Sequence, residues 1–305
     1  MSKQYKTRAL YQGGRKMKQV YMHFEQKKDK IEYTLLAILI LMYGYGVYKN
    51  GLSYVFIGKM NLLSALEYFL CPLISILSQM IFSRKMKLTL KDGMESLLLS
   101  IMIPPIFPIW CFTILVVLYY FGKKIVTKKM PCISNLLLFK ILVCFIATVI
   151  LKIDYQNIVE VNNAYLYSPA DLLFGRGVGN LGSTSILLMI IYFGVSLQDV
   201  YYKKELPTTM ITTYVILAII YASIGTPKDI LSQILNSHLF FAAVFLSTKL
   251  GTSPAEKKYL MIHGIATSIL GFVLTTIFDL QDGIYYSLFV MQILWMFLHQ
   301  RMKKI

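Results

Sequence analysis

Apolar runs alternate with short polar loops along the chain, and their lengths suit a lipid bilayer better than an aqueous globule. The runs occupy residues 33–48, 61–82, 93–104, 107–122, 133–151, 181–198, 208–224, 235–248, 259–278 and 283–298. Crossing the hydrocarbon core takes about 20 mostly apolar residues in one helix, and fewer where a broken helix is sheltered by its neighbours. The third and eighth runs are too short to cross alone, which predicts broken or re-entrant segments at those two places. The expected fold is all-α, a polytopic membrane protein with about ten transmembrane segments.

Five runs precede the long loop around residues 152–180 and five follow it. An odd number per half turns the second half over relative to the first. The pattern therefore predicts two inverted five-helix repeats, about 31–151 and 181–298, with broken helices meeting near the membrane midplane. Residues 1–30 form a basic tail and residues 31–305 a single membrane domain.

The loop charges fix a direction for this arrangement. With ten crossings, 25 lysines and arginines fall in the tail and the loops on its side, 5 fall on the other side, and Lys140 lies within a span. Positive residues stay in the cytoplasm, so both termini are expected there, in a multi-pass cell-membrane protein. No cleavable signal follows the basic tail.

Composition agrees, since 56% hydrophobic residues and a mean hydropathy of +0.59 exceed what an aqueous domain carries. The net charge of +16 then needs no nucleic acid partner. Juxtamembrane basic residues are drawn to anionic lipid, and no soluble domain offers a basic nucleic-acid face. The four cysteines, Cys71, Cys111, Cys132 and Cys144, show no metal-binding spacing and read as packing residues. His238 and His263 sit at opposite ends of neighbouring spans, roughly 15 Å apart in depth by helix rise, which is too far to share a haem iron. No metal site is expected.

Two segments interrupt the apolar pattern. The first runs from Asp92-Gly93 through Glu95 to Ile103-Pro104-Pro105-Ile106-Phe107-Pro108. Pro105 and Pro108 lack the amides that would reach carbonyls one turn earlier, so those carbonyls must meet protein, water or a ligand in a bilayer, unless the segment is an ordinary turn. The second is Ser168-Pro169-Ala170-Asp171 continuing to Gly175, Gly177, Gly179, Gly182, Ser183, Thr184 and Ser185. Its GxGxxG spacing lacks the βαβ context of a dinucleotide site. A helix starting near Gly182 would instead offer free amides and a positive dipole end to a phosphate or an electron-rich ring edge. Close packing of small residues between helices is the structural alternative.

The order of these residues carries a resemblance. Asp92-Gly93, Pro104-Pro105 with Pro108 and Trp110, Gly122-Lys123, Asn135, Pro169 with Asp171, Gly175, Gly179, Gly182, Thr184 and Ser185, Phe245 to Thr248, and Thr252-Ser253-Pro254 together resemble the NqrB/RnfD family over roughly residues 60 to 298. These are the flavin-carrying membrane subunits of Na⁺-pumping NADH:quinone oxidoreductase and of Rnf complexes. The resemblance implies a membrane subunit of a flavin-based electron transfer system, working with other membrane electron-transfer subunits and with a quinone or an extracytoplasmic flavoprotein.

The departures shape that expectation. Family members that hold flavin covalently use a threonine on an outward loop, and the matching region 154–167 contains neither threonine nor serine. The expected cofactor is therefore a noncovalent flavin, FMN or riboflavin. Gly182-Ser183-Thr184-Ser185 and Ser247-Thr248-Lys249-Leu250 replace two acidic positions of the family, removing carboxylates from a plausible cation path.

In this reading Gly175, Gly177, Gly179, Gly182, Ser183, Thr184 and Ser185 bind the flavin, Pro104 and Pro105 form the opposite wall of one central pocket, and Thr252 and Ser253 cap the ninth span nearby. No side chain is assigned a catalytic step, because the cofactor would supply the chemistry. Lys140 either pairs with Glu95 or snorkels to the inner face, and Asp279 and Asp282 read as solvated turn residues. A rival reading of the same pattern is a small-solute transporter or channel with an inverted-repeat fold.

Overall fold

A computed structural model describes residues 16–56, 61–83, 88–153, 168–176, 179–199, 202–224, 233–248, 252–254, 256–280 and 282–302. Among the described residues a helix stands at each of the ten runs. The first half holds α1 (Lys16–Val47), followed through a wide turn by the short α2 (Ser53–Phe56), then α3 (Leu62–Ser83), α4 (Leu90–Ile101), α5 (Ile109–Lys129) and α6 (Asn135–Phe145). A short α7 (Pro169–Phe174) precedes the second half, which holds α8 (Ile186–Ser196), α9 (Glu205–Ser223), α10 (Ser237–Phe241), α11 (Lys257–Phe272) and α12 (Gly283–Met302). Wider π-helical turns extend α6, α10 and α11 over Ile146–Ile150, Ala242–Leu246 and Val273–Ile277. Among the described residues five helices are long and apolar enough to cross a membrane, and four shorter apolar helices, Asn135–Ile150, Ile186–Ser196, Ser237–Leu246 and Gly283–Leu298, stand beside them.

The two halves use the same neighbours. In the first half α1 packs on α4, α3 on both α4 and α5, α5 on α6, and α4 on α6. In the second, α8 packs on α10, α9 on α11 and on the extension of α10, α11 on α12, and α10 on α12. Across the halves the first helices pair, α1 with α8, and so do the fifth, α6 with α12. This recurrence is what an internal repeat of five helices produces. Both third helices, α4 and α10, are short, as the apolar runs predict.

Surface and core follow the solvent. Leu63, Leu73, Ile81, Trp110, Leu118, Phe121, Ile216 and Ile219 are exposed, an apolar exterior suited to lipid. Among the described residues, Lys91 pairs with Glu32 (3.6 Å), Lys123 with Glu95 (2.6 Å) and Lys257 with Glu205 (3.4 Å). All four cysteines are buried and unbridged, as expected of packing residues.

Proline breaks in this interior are matched from neighbouring helices. Pro72 lies inside α3 and removes the amide that would meet the Tyr68 carbonyl, and the Tyr43 hydroxyl from α1 donates to that carbonyl instead. The closest backbone approach lies on α1: a Cβ at Gly46 would stand 1.7 Å from the Leu181 carbonyl oxygen, whereas one at Gly44 meets nothing within 4 Å. Gly46→Ala should therefore lower the unfolding midpoint in detergent by the equivalent of about 3 kcal/mol or more, while Gly44→Ala leaves it unchanged or slightly raised.

Candidate functional site

The two interrupted segments meet directly. α4 ends at Ile101, and Pro105 cannot supply the amide that a continuing helix would turn toward the Ile101 carbonyl. The Gly182 amide donates to that carbonyl (3.3 Å), and the Leu181 amide donates to the Ile103 carbonyl (2.7 Å). From the other side, Asn50 of the turn after α1 donates to the carbonyls of Leu181 (3.1 Å) and Asn180 (3.4 Å). The chain leaves the break through Ile106 at φ 64°, an uncommon conformation for a β-branched residue, with its amide donating to the Tyr68 hydroxyl (2.7 Å).

A charged cluster sits against this junction. Lys140, fully buried on α6, donates to the Asn180 side-chain oxygen (2.8 Å) and to the Met102 carbonyl (3.3 Å). Its ammonium lies 3.7 Å from Asp282 Oδ1, at the start of α12, and 5.0 Å from the Tyr285 ring centre. His238 stands in the first turn of α10, where the Asn236 side chain caps the helix by accepting from the His238 amide (2.9 Å). Its Nδ1 is 3.5 Å from Asp282 Oδ1, and its ring meets Tyr285 edge-on. Asn180 also donates to Ser183 Oγ (3.2 Å).

The cluster is incompletely paired. Asp282 Oδ1, His238 Nδ1, the Tyr285 hydroxyl and the Thr184 hydroxyl are buried without a hydrogen-bond partner. Buried polar atoms are satisfied as a rule, so the Thr184 and Tyr285 hydroxyls, which unlike Asp282 Oδ1 and His238 Nδ1 have no ionic contact, point to a small polar guest such as water, or to the polar edge of a ligand. Among the described residues no group of three or more His, Cys, Asp or Glu side chains is placed to hold a metal ion.

The structure gathers many of the sequence-predicted site residues and separates others. Gly175, at φ 91°, closes α7 so tightly that a Cβ there would lie 2.7 Å from the Ser185 nitrogen. Gly179, Gly182, Ser183, Thr184 and Ser185 are buried together, with Pro104 and Pro105 also buried across the junction. Gly177 and the loop 154–167 lie outside the described residues.

Three expectations are corrected here. The helix starts at Ile186 with Ser185 as its cap, four residues beyond Gly182, and the Gly182 amide is not free. The break and the glycine segment touch through backbone hydrogen bonds and do not face each other across a pocket; a Cβ at Gly182 would stand 2.9 Å from Ile101 and one at Gly179 2.8 Å from Thr184. Thr252 and Ser253 do not cap the ninth span, whose cap residue is Glu256. Ser253 is held by Lys203, which donates to its carbonyl (3.2 Å) and hydroxyl (3.0 Å) beyond the far end of α8, a helix about 16 Å long. Burial lowers the Lys203 pKa.

The charges are corrected too. Lys140 neither snorkels nor pairs with Glu95, which instead binds Lys123 and the Tyr119 hydroxyl. Asp282 is buried, not solvated. Outside the spans, Asp171 receives the Ser168 hydroxyl and amide and the Arg176 guanidinium, which hold its carboxyl below the usual range. Sequence reading missed Asn50, Asn180, His238, Asp282 and Tyr285 as one group. The available signal was the presence of ionisable residues in or next to apolar runs, where lipid leaves no unpaired charge.

A model of the NQR2, RnfD, RnfE family matches residues 132–304, which contain Lys140, Asn180, Thr184, His238, Asp282 and Tyr285. A search of curated proteins gives no match.

The ion pair yields a stability prediction. Lys140→Met or Asp282→Asn alone should each cost about 3–5 kcal/mol, because each strands a buried charge. The double variant should recover at least half of that, and a double-mutant cycle of unfolding midpoints in detergent measures the coupling.

Proposed function

The chain belongs to the NQR2, RnfD, RnfE family of membrane subunits of electron transport complexes, and from that premise we propose that it carries electrons through a noncovalently bound flavin where its two halves meet. The observation that carries this reading is the set of orphaned polar atoms beside the junction. Glycines 179 and 182 are filled by neighbours and form no phosphate cradle. The reading is supported instead by the Thr184 hydroxyl, buried without a hydrogen-bond partner, with Ser183 and Ser185 beside it.

When bound, a flavin supplies one- and two-electron redox chemistry, and the protein orients it, sets its electronics and excludes water. Lys140 offers a fixed positive charge, which favours negative charge developing on a ring nearby. The flavin is FMN or riboflavin, the donor and acceptor are neighbouring subunits, and a quinone or an extracytoplasmic flavoprotein completes the chain of carriers. Both termini face the cytoplasm in this reading, following the basic loops.

Protein purified in mild detergent should show a flavin absorbance band and release the pigment on denaturation. Thr184→Val should lower flavin occupancy several-fold without loss of thermal stability, since it deletes an unpaired hydroxyl. Absence of the band after flavin is supplied, with uptake of a neutral solute by reconstituted vesicles, would establish the carrier reading instead. For orientation, a membrane-impermeant thiol reagent on intact cells should label Ser168→Cys and not Lys204→Cys; the reverse pattern would invert the topology.

A further inference from the structure

Within the bundle, Glu95 is matched by Lys123 and Asp282 by Lys140. Glu67, in the second turn of α3, differs: it is partly exposed, and among the described residues no cation stands within ion-pair distance of it. The Cys71 thiol bonds to its backbone carbonyl and leaves the carboxylate alone. By helix rise Glu67 lies about 8 Å along α3 from Leu62. Leu62 and Leu63 are both exposed, so the apolar surface begins before the carboxylate is reached and Glu67 stands at hydrocarbon depth. Ionisable groups at that depth pair with an opposite charge or face a protein interior.

The face beside Glu67 has the spacing of a helix seam. Ser75 and Gln79 turn one side of α3 inward, where they bond to Tyr120 of α5 and Asp92 of α4. The opposite side carries exposed Leu63, Leu66, Leu70, Leu73 and Leu77. Their alternating steps of three and four are the a and d positions of a heptad, and Glu67 occupies the flanking e position, from which paired helices exchange salt bridges. Leucine packs on a lipid tail about as well as on another leucine, so the seam alone selects no partner and the carboxylate supplies the selection. We propose that this face of α3 docks a transmembrane helix of another subunit of the complex, one that carries a lysine or arginine at the depth of Glu67. The family to which the chain belongs consists of membrane subunits of such complexes. The docking face is independent of any bound flavin.

The test is labelling with dicyclohexylcarbodiimide, an apolar reagent that modifies carboxyl groups open to lipid, with the α3 peptide quantified by mass spectrometry. The full chain purified alone in lipid nanodiscs should be labelled at Glu67, and Glu67→Gln should remove the label. In native membranes that hold the assembled complex, labelling of the wild-type chain should fall several-fold. Equal labelling in the two preparations leaves Glu67 in lipid and overturns the docking face. No label on the purified chain places a counter-charge within the chain itself and overturns it as well. A second arm reads the charge: on native gels of detergent-solubilised membranes, Glu67→Lys should be released from the complex and Glu67→Asp retained. A Glu67→Lys chain that stays in the complex, or a Glu67→Asp chain released as fully as it, overturns the ionic pairing.

Discussion

A bilayer offers no solvent for a stray backbone carbonyl, and the arrangement of this protein follows from how it answers that constraint. Each helix break has to be matched by donors from another element. Pro105 orphans the Ile101 carbonyl, and the Gly182 amide from the second half fills it. Pro72 orphans the Tyr68 carbonyl, and the Tyr43 hydroxyl fills it. The first bond ties the two halves together and the second ties α1 to α3, each at a place where a helix is broken. One glycine from each half serves this end, since Gly46 of α1 and Gly182 let two backbones approach with no side chain between them.

The charged cluster extends the same logic from dipoles to ions. Lys140 reaches the Met102 carbonyl left beyond the end of α4 and the Asn180 side chain, and so joins both breaks with one ammonium. An isolated ammonium in this setting is costly, and Asp282 answers it from across the pseudo-symmetric pair α6 and α12. Apolar residues in place of a buried ion pair often give as much stability or more. The ions therefore fit a functional role better than a purely structural one, and the unpartnered atoms around them support that view.

The halves contribute unequally. Lys140 and Met102 come from the first, whereas Asn180, His238, Asp282 and Tyr285 come from the second, within the region matched by the family model. The first half holds a separate, well-paired polar network in which Gln79, Ser96 and Tyr120 bond to one another and Gln79 bonds to Asp92 at the start of α4. That network fixes the half-helix in place, and the end of the same helix presents the carbonyls that the second half reads.

Periodicity and charge settled the spans, the all-α class and the two short third helices, because burial in lipid demands long apolar runs and a broken helix shows as a shortened one. The same sequence marked Pro104, Pro105 and the segment from Gly175 to Ser185 as special, since proline and glycine act locally on the backbone. It did not reveal that Gly182 precedes the helix start by four residues, because Ser183, Thr184 and Ser185 are each acceptable caps and only packing chooses among them. Nor did it bring Lys140, His238 and Asp282 together. They lie in three separate segments, at depths that depend on how α6, α10 and α12 slide past one another, and that register is decided by side-chain packing across the whole bundle.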